Sequence, residues 1–479
     1  MFKNSKTLFL LFFLLILFFA IYNTSFTSFF SQDDFYHLGL AKIDNLVDFL
    51  NFFNPWSQKD VHFRPLGTQV FFLIAHVFPQ AWSPIILRAI ALIFHLANFY
   101  LIFQLLNKFL EKEFLAMVLA GAWLVSPLHF MSIYYISAFQ QILAAFWQLL
   151  GFWLFVLKKR KWVYFCFILA LLSKETALVF PALLLIFSYI IRPEKDVVGC
   201  FRRLKREFCY WLPFIFLVIG YGLVRMVTFT HYPGDNYQLS LLPRTLLGSW
   251  RWYLTWLVGA PETIIRYAGR LVDFRLVAFI KDSGLLGRIF LGTFLAEVVL
   301  ICLISFFSLT KKSRSADFSK SIHWWLLFVS FFVISLLPVS FFPYHRYAHY
   351  LDLVFFCLLL VGGIYFLKTK LPKILWGLLA AVFLANVCFS VAIDKKLHWT
   401  IGRSRIAEDY FLSFEEKDFC RWQSVYFVNS PKVSAHEANI ALFNHWGPAY
   451  FCHYQPLSVY YQDINPPGDK DQFKIVRIE

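Results

Sequence analysis

Charge is what this chain has least of. Of its 479 residues only 15% are Asp, Glu, Lys or Arg, against about 25% in an average soluble domain. That shortfall, with 59% hydrophobic residues, excludes a disordered chain, a collagen-like fibre and an ordinary cytosolic enzyme. The eight cysteines form no CxxC pair and no Cys/His metal spacing, so the common zinc and thiol-redox motifs are absent. No helical repeat period is visible, and no stretch between apolar runs on the cytoplasmic side is long enough to fold as a nucleotide-sugar domain. What is abundant is Phe, with 60 residues, and apolar runs free of charge, the mark of a polytopic membrane protein. The formal balance of 45 basic against 29 acidic residues, +16, would suggest nucleic acid on a soluble protein. Here much of it lies in short loops between apolar runs, where it fixes membrane orientation, and no nucleic-acid partner is expected.

Residues 7–22 follow Lys3 and Lys6 and have no small-residue cleavage site behind them, so they read as a first span with a cytoplasmic N-terminus. A polar segment, 23–64, follows. Residues 65–79 are apolar but short, which suggests a helix lying at the interface, and 84–107 are long enough to span. Residues 114–157 carry no charged side chain, enough for two helices turning at Ser126-Pro127. Lys158, Lys159, Arg160 and Lys161 then mark the cytoplasmic side, as does the basic stretch 192–207. An even number of spans must join these loops, so 162–191 reads as a hairpin turning at Ser173-Lys174-Glu175. Further spans are expected at 209–229, 285–309, 322–342, 350–367 and 374–393, with 246–258 as an interfacial or re-entrant helix inside an outer loop, 230–284. The expected fold is therefore an all-α polytopic membrane protein of about 11 spans over 1–393. A small extracytoplasmic C-terminal segment, 394–479, completes it. Cys420 and Cys452 share that segment, and an oxidising compartment would let them pair.

Few polar residues interrupt this pattern, and each is informative. Asp33 and Asp34 in "SQDDFYH" stand just past the first span, with His37 behind them. Such a pair suits a general base, a divalent-metal site, or merely the start of a solvated loop. Arg64 in "VHFRPLG" stands where the loop re-enters the interface; it suits a bidentate grip on phosphate or simple snorkelling. His95 and Asn98 share one helix face and suit helix–helix hydrogen bonding. His129 in "SPLHF" sits at an outer turn. Lys174 and Glu175 in "LLSKETALVFP" suit either mutual pairing or contact between Lys174 and an anionic lipid phosphate. "LLPVSFFPYHRYAHY" puts His345, Arg346, Tyr347 and His349 on a late outer loop, suited to a phosphate, a sugar or a helix cap.

In this order the motifs resemble those of the GT-C class of polyprenyl-phosphate-sugar-dependent glycosyltransferases. The nearest likeness is to the membrane part of the protein O-mannosyltransferases that carry tetratricopeptide repeats, and to their bacterial relatives. "QDDFYH" resembles the acidic pair after the first span. "FRPLG" with "IFHLANF" resembles the Arg-Pro-Leu segment and the second span; "SPLHF" and "LLSKETALVFP" resemble the Pro-x-His turn and Ser-Lys-Glu hairpin; "LLPVSFFPYHRYAHY" resembles the Arg-Tyr late loop. The likeness covers roughly 1–393. It implies an integral, multi-pass protein of a plasma (inner) membrane that transfers a sugar from a polyprenyl-phosphate donor to an acceptor hydroxyl outside the cytoplasm. Asp33 or Asp34 would serve as base, and Arg64, Lys174 and Arg346 would hold the lipid phosphate. His37, His129, Glu175, His345, Tyr347 and His349 would be further substrate contacts. No cofactor is required beyond an optional divalent metal at the acidic pair. The repeats are missing, so the acceptor can be protein, lipid or glycan. His345 stands where the family usually has Glu, and the His129 turn lacks the Glu that usually follows. The alternative reading is a transporter or flippase for lipid-linked saccharides.

Overall fold

Hydrocarbon offers no hydrogen bonds, so apolar runs satisfy their backbone by forming helices. A computed structural model describes residues 5–57, 62–191, 205, 207–228, 238–267, 274–312, 318–368, 372–468 and 473–477. Within them six helices are long and apolar enough to cross a membrane: Ser83–Leu110, Ile136–Val156, Phe208–Met226, Leu285–Phe307, Ala348–Lys368 and Lys373–Leu397. A seventh candidate is the pair Glu113–Val125 and Pro127–Tyr134, bent by 40°. Ser126 ends the first of these with an extended backbone, as the residue before Pro tends to. Shorter apolar helices occupy Ser5–Ile21, Glu175–Tyr189 and Trp324–Ser340. This is the pattern of an all-α membrane protein. Most of the basic loop 192–207 and parts of 310–320, 368–373 and 230–284 lie outside the described residues.

The Ser83–Leu110 helix packs between Glu113–Val125 and Phe139–Val156, and Phe139–Val156 packs on Arg160–Ser173. Leu285–Lys312 pairs with Lys373–Leu397. The chain near 65–79 forms short helical turns tucked against the Phe139–Val156 and Arg160–Ser173 helices, with Gly67, Thr68, Gln69, Phe71 and Phe72 buried. The approach is close: a Cβ on Gly67 would collide with the Ser173 carbonyl oxygen and the Gln140 side chain. Phe71 stacks on Phe139 with ring centroids 3.8 Å apart.

The C-terminal segment is not purely helical. After the Trp399–Lys417 helix come β1 (Ser424–Phe427), β2 (Ser458–Tyr461) and β3 (Lys474–Val476), a parallel sheet in the order β2-β1-β3. Two short helices, Ala435–Leu442 and Trp446–Phe451, supply the crossover between β1 and β2. A Cys420–Cys452 disulfide ties the end of the long helix to this crossover. The segment docks through a hydrophobic cluster of its own, in which Phe411, Phe414, Tyr450 and Phe451 meet Phe29, Phe30, Phe35 and Leu38. It therefore packs directly on the stretch that carries the acidic pair.

Candidate functional site

Gln32, at φ 50°, turns the chain into the Asp33–Leu40 helix. Both acids occupy its first turn, where the helix dipole favours negative charge. Neighbours on a helix point about 100° apart at 3.6 residues per turn, and here that separates their fates. Asp34 is wholly buried. One of its oxygens accepts from the Ser31 N–H at 2.9 Å; the other accepts from the Ser137 N–H at 2.7 Å and the Ser137 hydroxyl at 2.5 Å. Burial pushes its carboxyl up to about 7, while the Ser137 and Ser31 hydrogen bonds and nearby Arg88 pull the other way. The external position of the pair suggests two solvated acids; the structure overturns this for Asp34, which pins the Asp33–Leu40 helix to the turn at Ile136–Ala138. Asp33 alone stays partly exposed. Its N–H donates to the Tyr135 hydroxyl at 3.2 Å. Replacing Asp34 by Ala strands two buried N–H donors, and thermal unfolding in detergent should show a loss of about 2–3 kcal/mol. An Asp34→Ala protein melting with the wild type would remove this anchoring role.

Arg64 is engaged inside the protein rather than at an outer interface. Its Nε donates to Glu175 Oε2 at 2.5 Å and its Nη2 to Glu175 Oε1, while Nη1 donates to Gln140 at 2.5 Å. The guanidinium fork thus makes a bidentate ion pair, and Arg64 acts as a strut between the stretch before Gly67 and the turn at Lys174. Glu175 consequently pairs with Arg64, not with its neighbour Lys174. Lys174 is 4% exposed, with its ammonium 4.7 Å from the Tyr350 ring centroid.

His129 sits in the Pro127–His129 turn and faces inward. It is buried, with Nδ1 3.0 Å from Asp352 and Nε2 2.9 Å from the Trp123 carbonyl oxygen. Its ring lies against His95, as expected of a helix-packing histidine. Asn98 donates to the Ile142 carbonyl, also a helix–helix bond. His37 is buried beside Phe72, and burial drives its imidazole down to about 4, so it is neutral at physiological pH.

In the late loop Arg346 donates from Nε to the Ser249 hydroxyl at 2.9 Å. His345 has its ring 5.9 Å from that of Tyr347, and buried His349 stacks on Tyr347 at 5.5 Å. Tyr347 and Trp399 pack around Met131, Tyr135 and Ala138, in a small cluster apart from the two main cores. Four distant stretches therefore converge: the helix start at Asp33, the turn at Tyr135, the late loop at Tyr347 and the C-terminal segment at Trp399.

Several residues of this region carry no motif. Arg88, fully inside, donates to the carbonyls of Ser28, Phe29 and Ile133 and so holds the stretch before the acidic pair. Asp394 accepts from the N–H groups of Glu262 and Thr263 at 2.9 and 3.0 Å, and Ser390 and Asn386 reach the carbonyls of Gly259 and Val258. This ladder ties residues 258–263 to the Lys373–Leu397 helix. Glu262 is itself buried, accepts from the Ala348 N–H and thereby caps the turn that follows Tyr347. Burial, and the nearby charge of Asp394, push its carboxyl up to about 8. A polar residue within or beside an apolar run was the one available signal for these; their pairing required the fold.

Asp34 is poorly placed to ligate a divalent metal. Both Asp34 oxygens are taken by hydrogen bonds, and among the described residues no three His, Cys, Asp or Glu side chains come together as ligands. No family model, no curated protein and no solved structure matches the chain.

Proposed function

We propose that the chain is an inverting membrane glycosyltransferase of GT-C type, which moves a sugar from a polyprenyl-phosphate carrier to an acceptor hydroxyl on the extracytoplasmic side. The observation that carries this reading is the convergence at Asp33. The partly exposed acid of the pair stands beside Tyr135, in a cluster that also contains Tyr347 of the late loop, next to Arg346. A carboxylate held still by its buried neighbour, with Arg346 on the loop that carries Tyr347, has the parts for a single displacement. Asp33 accepts the proton of the acceptor hydroxyl as that oxygen bonds to the anomeric carbon. The bond from that carbon to the carrier oxygen breaks, and the lipid phosphate leaves with the electron pair. Arg346 offsets the charge that develops on it, with Lys174 as a second cation behind Tyr350. One displacement inverts the anomeric centre, whereas a covalent intermediate would retain it.

The test is incubation of the purified protein, reconstituted in lipid, with a labelled polyprenyl-phosphate sugar and a set of hydroxyl acceptors. Release of polyprenyl phosphate with transfer of label is the expected result; label that stays on the carrier, or crosses the bilayer unchanged, sinks the reading and favours a flippase.

The expected topology that goes with this reading has 11 spans, with the segment 23–64 and the C-terminal segment both outside the cytoplasm. The Cys420–Cys452 pairing supports this side, since disulfides persist in oxidising compartments. Single cysteines introduced at exposed Val47 and Glu416 should both react with an impermeant maleimide from the external face. Labelling from opposite faces would refute the topology.

A further inference from the structure

The Trp399–Lys417 helix begins where the last apolar helix ends, and it brings two side chains to the cluster around Asp33. Trp399 meets the Tyr135 ring at 5.2 Å, nearly perpendicular to it. One turn further on, Arg403 lays its guanidinium over the Trp399 ring, 4.7 Å from the centroid. Stacking occupies a face of the guanidinium and leaves its N–H groups pointing outward in the plane, the arrangement that receives a phosphate or carboxylate bidentately.

Among the described residues Arg403 forms no ion pair and no hydrogen bond to an acid, although the charges of Asp33 and Tyr347 reach it. Arg346 likewise forms no ion pair among the described residues and is held by the neutral Ser249 hydroxyl. Arg266, exposed at the rim, donates to the Leu397 carbonyl and has the Asp394 carboxylate near it; its charge also bears on Arg403. Arg403 and Arg346, with no ion pair of their own, attract an anion. A second feature points the same way: the Tyr253 hydroxyl, which the charges of Arg346, Glu262 and Tyr347 reach, is completely buried and has no hydrogen-bond partner.

We propose that Arg403, laid on Trp399 by the first helix of the C-terminal segment, forms a phosphate-group subsite beside Asp33, with Arg346 on the other side of Tyr347. This rests on the glycosyltransferase reading and extends it. The ligand is a phosphate monoester or diester anion, and the C-terminal segment is part of the site rather than an accessory to it.

The experiment measures binding of a polyprenyl monophosphate and of the matching uncharged polyprenol to the full-length protein in detergent, with inorganic phosphate as a competitor. Arg403→Ala should weaken phosphate-lipid binding by about 10- to 100-fold, the scale of a lost charged hydrogen bond, and leave the polyprenol unchanged. Arg403→Lys, which keeps charge but loses the fork and the stack, should fall between. Competition by inorganic phosphate would show that the headgroup alone is read; its failure to compete would show that the lipid is needed as well, and either fits the subsite. Equal affinity of Arg403→Ala and wild type for the phosphate lipid would overturn the inference, as would an equal loss for phosphate lipid and polyprenol, which would mark Arg403 as structural. These outcomes are separate from the functional reading, which fails only if the wild-type protein does not transfer sugar.

Discussion

Asp33→Asn is expected to lower the rate of sugar transfer by about 100- to 10,000-fold, the usual contribution of a general base, while the protein melts near the wild-type temperature. The isosteric amide keeps the size of the side chain but cannot take a proton from the acceptor. Stability should change little because Asp33 is partly exposed, its backbone N–H keeps the bond to the Tyr135 hydroxyl, and the amide oxygen of Asn can still accept from that hydroxyl where the carboxylate did. Asp34→Asn should show the reverse profile. Its carboxylate accepts three hydrogen bonds in a fully buried position, so the damage appears first as lower thermal stability. The paired assay is transfer from a polyprenyl-phosphate sugar alongside thermal unfolding for both variants. Near-normal turnover by Asp33→Asn would show that the acid is only the first residue of a helix.

Breaking the Arg64–Glu175 pair is expected to destabilise the protein by about 3–5 kcal/mol, because it leaves a charge without its counterion in the interior. The two single substitutions should not be equal. The Arg64 side chain is 6% exposed and that of Glu175 25%. Glu175→Ala therefore strands the more deeply buried charge and should cost more than Arg64→Ala, which leaves a carboxylate that water can reach. The double substitution Arg64→Met with Glu175→Leu should recover much of the loss, since apolar replacement of a buried pair is often neutral. Unfolding in denaturant, with expression level as a second readout, checks the series. A stable Arg64→Ala protein with weakened binding of the phosphate lipid would contradict the strut and restore Arg64 as a ligand-binding cation.

The apolar runs determined the helices on their own. Charge-free stretches of about 20 residues have no alternative in hydrocarbon; Pro127 breaks its helix as its chemistry demands, and the Arg160–Ser173 helix ends at an extended Lys174. The sequence also singled out the few polar residues that matter, because an Asp, Arg or His beside such runs is conspicuous. It could not say which atom each would meet. Asp33 and Asp34 are alike in sequence, yet helix rotation sends one into the Ser137 turn and leaves the other partly exposed. Arg64 resembled an interfacial cation until the close fit of Gly67 against Ser173 brought it onto Glu175. His129 is the turn residue its motif suggests, but only the bend at Ser126 decides that it points inside to Asp352. The C-terminal segment was the least legible part. Its short strands and its docking face are set by contacts with Phe29, Phe30 and Phe35, far away in the chain. Local pattern determines what a segment buries, but only the packed fold decides which distant segment buries it. That is why Trp399 and Arg403, two ordinary residues just beyond the last apolar run, come to stand beside Asp33.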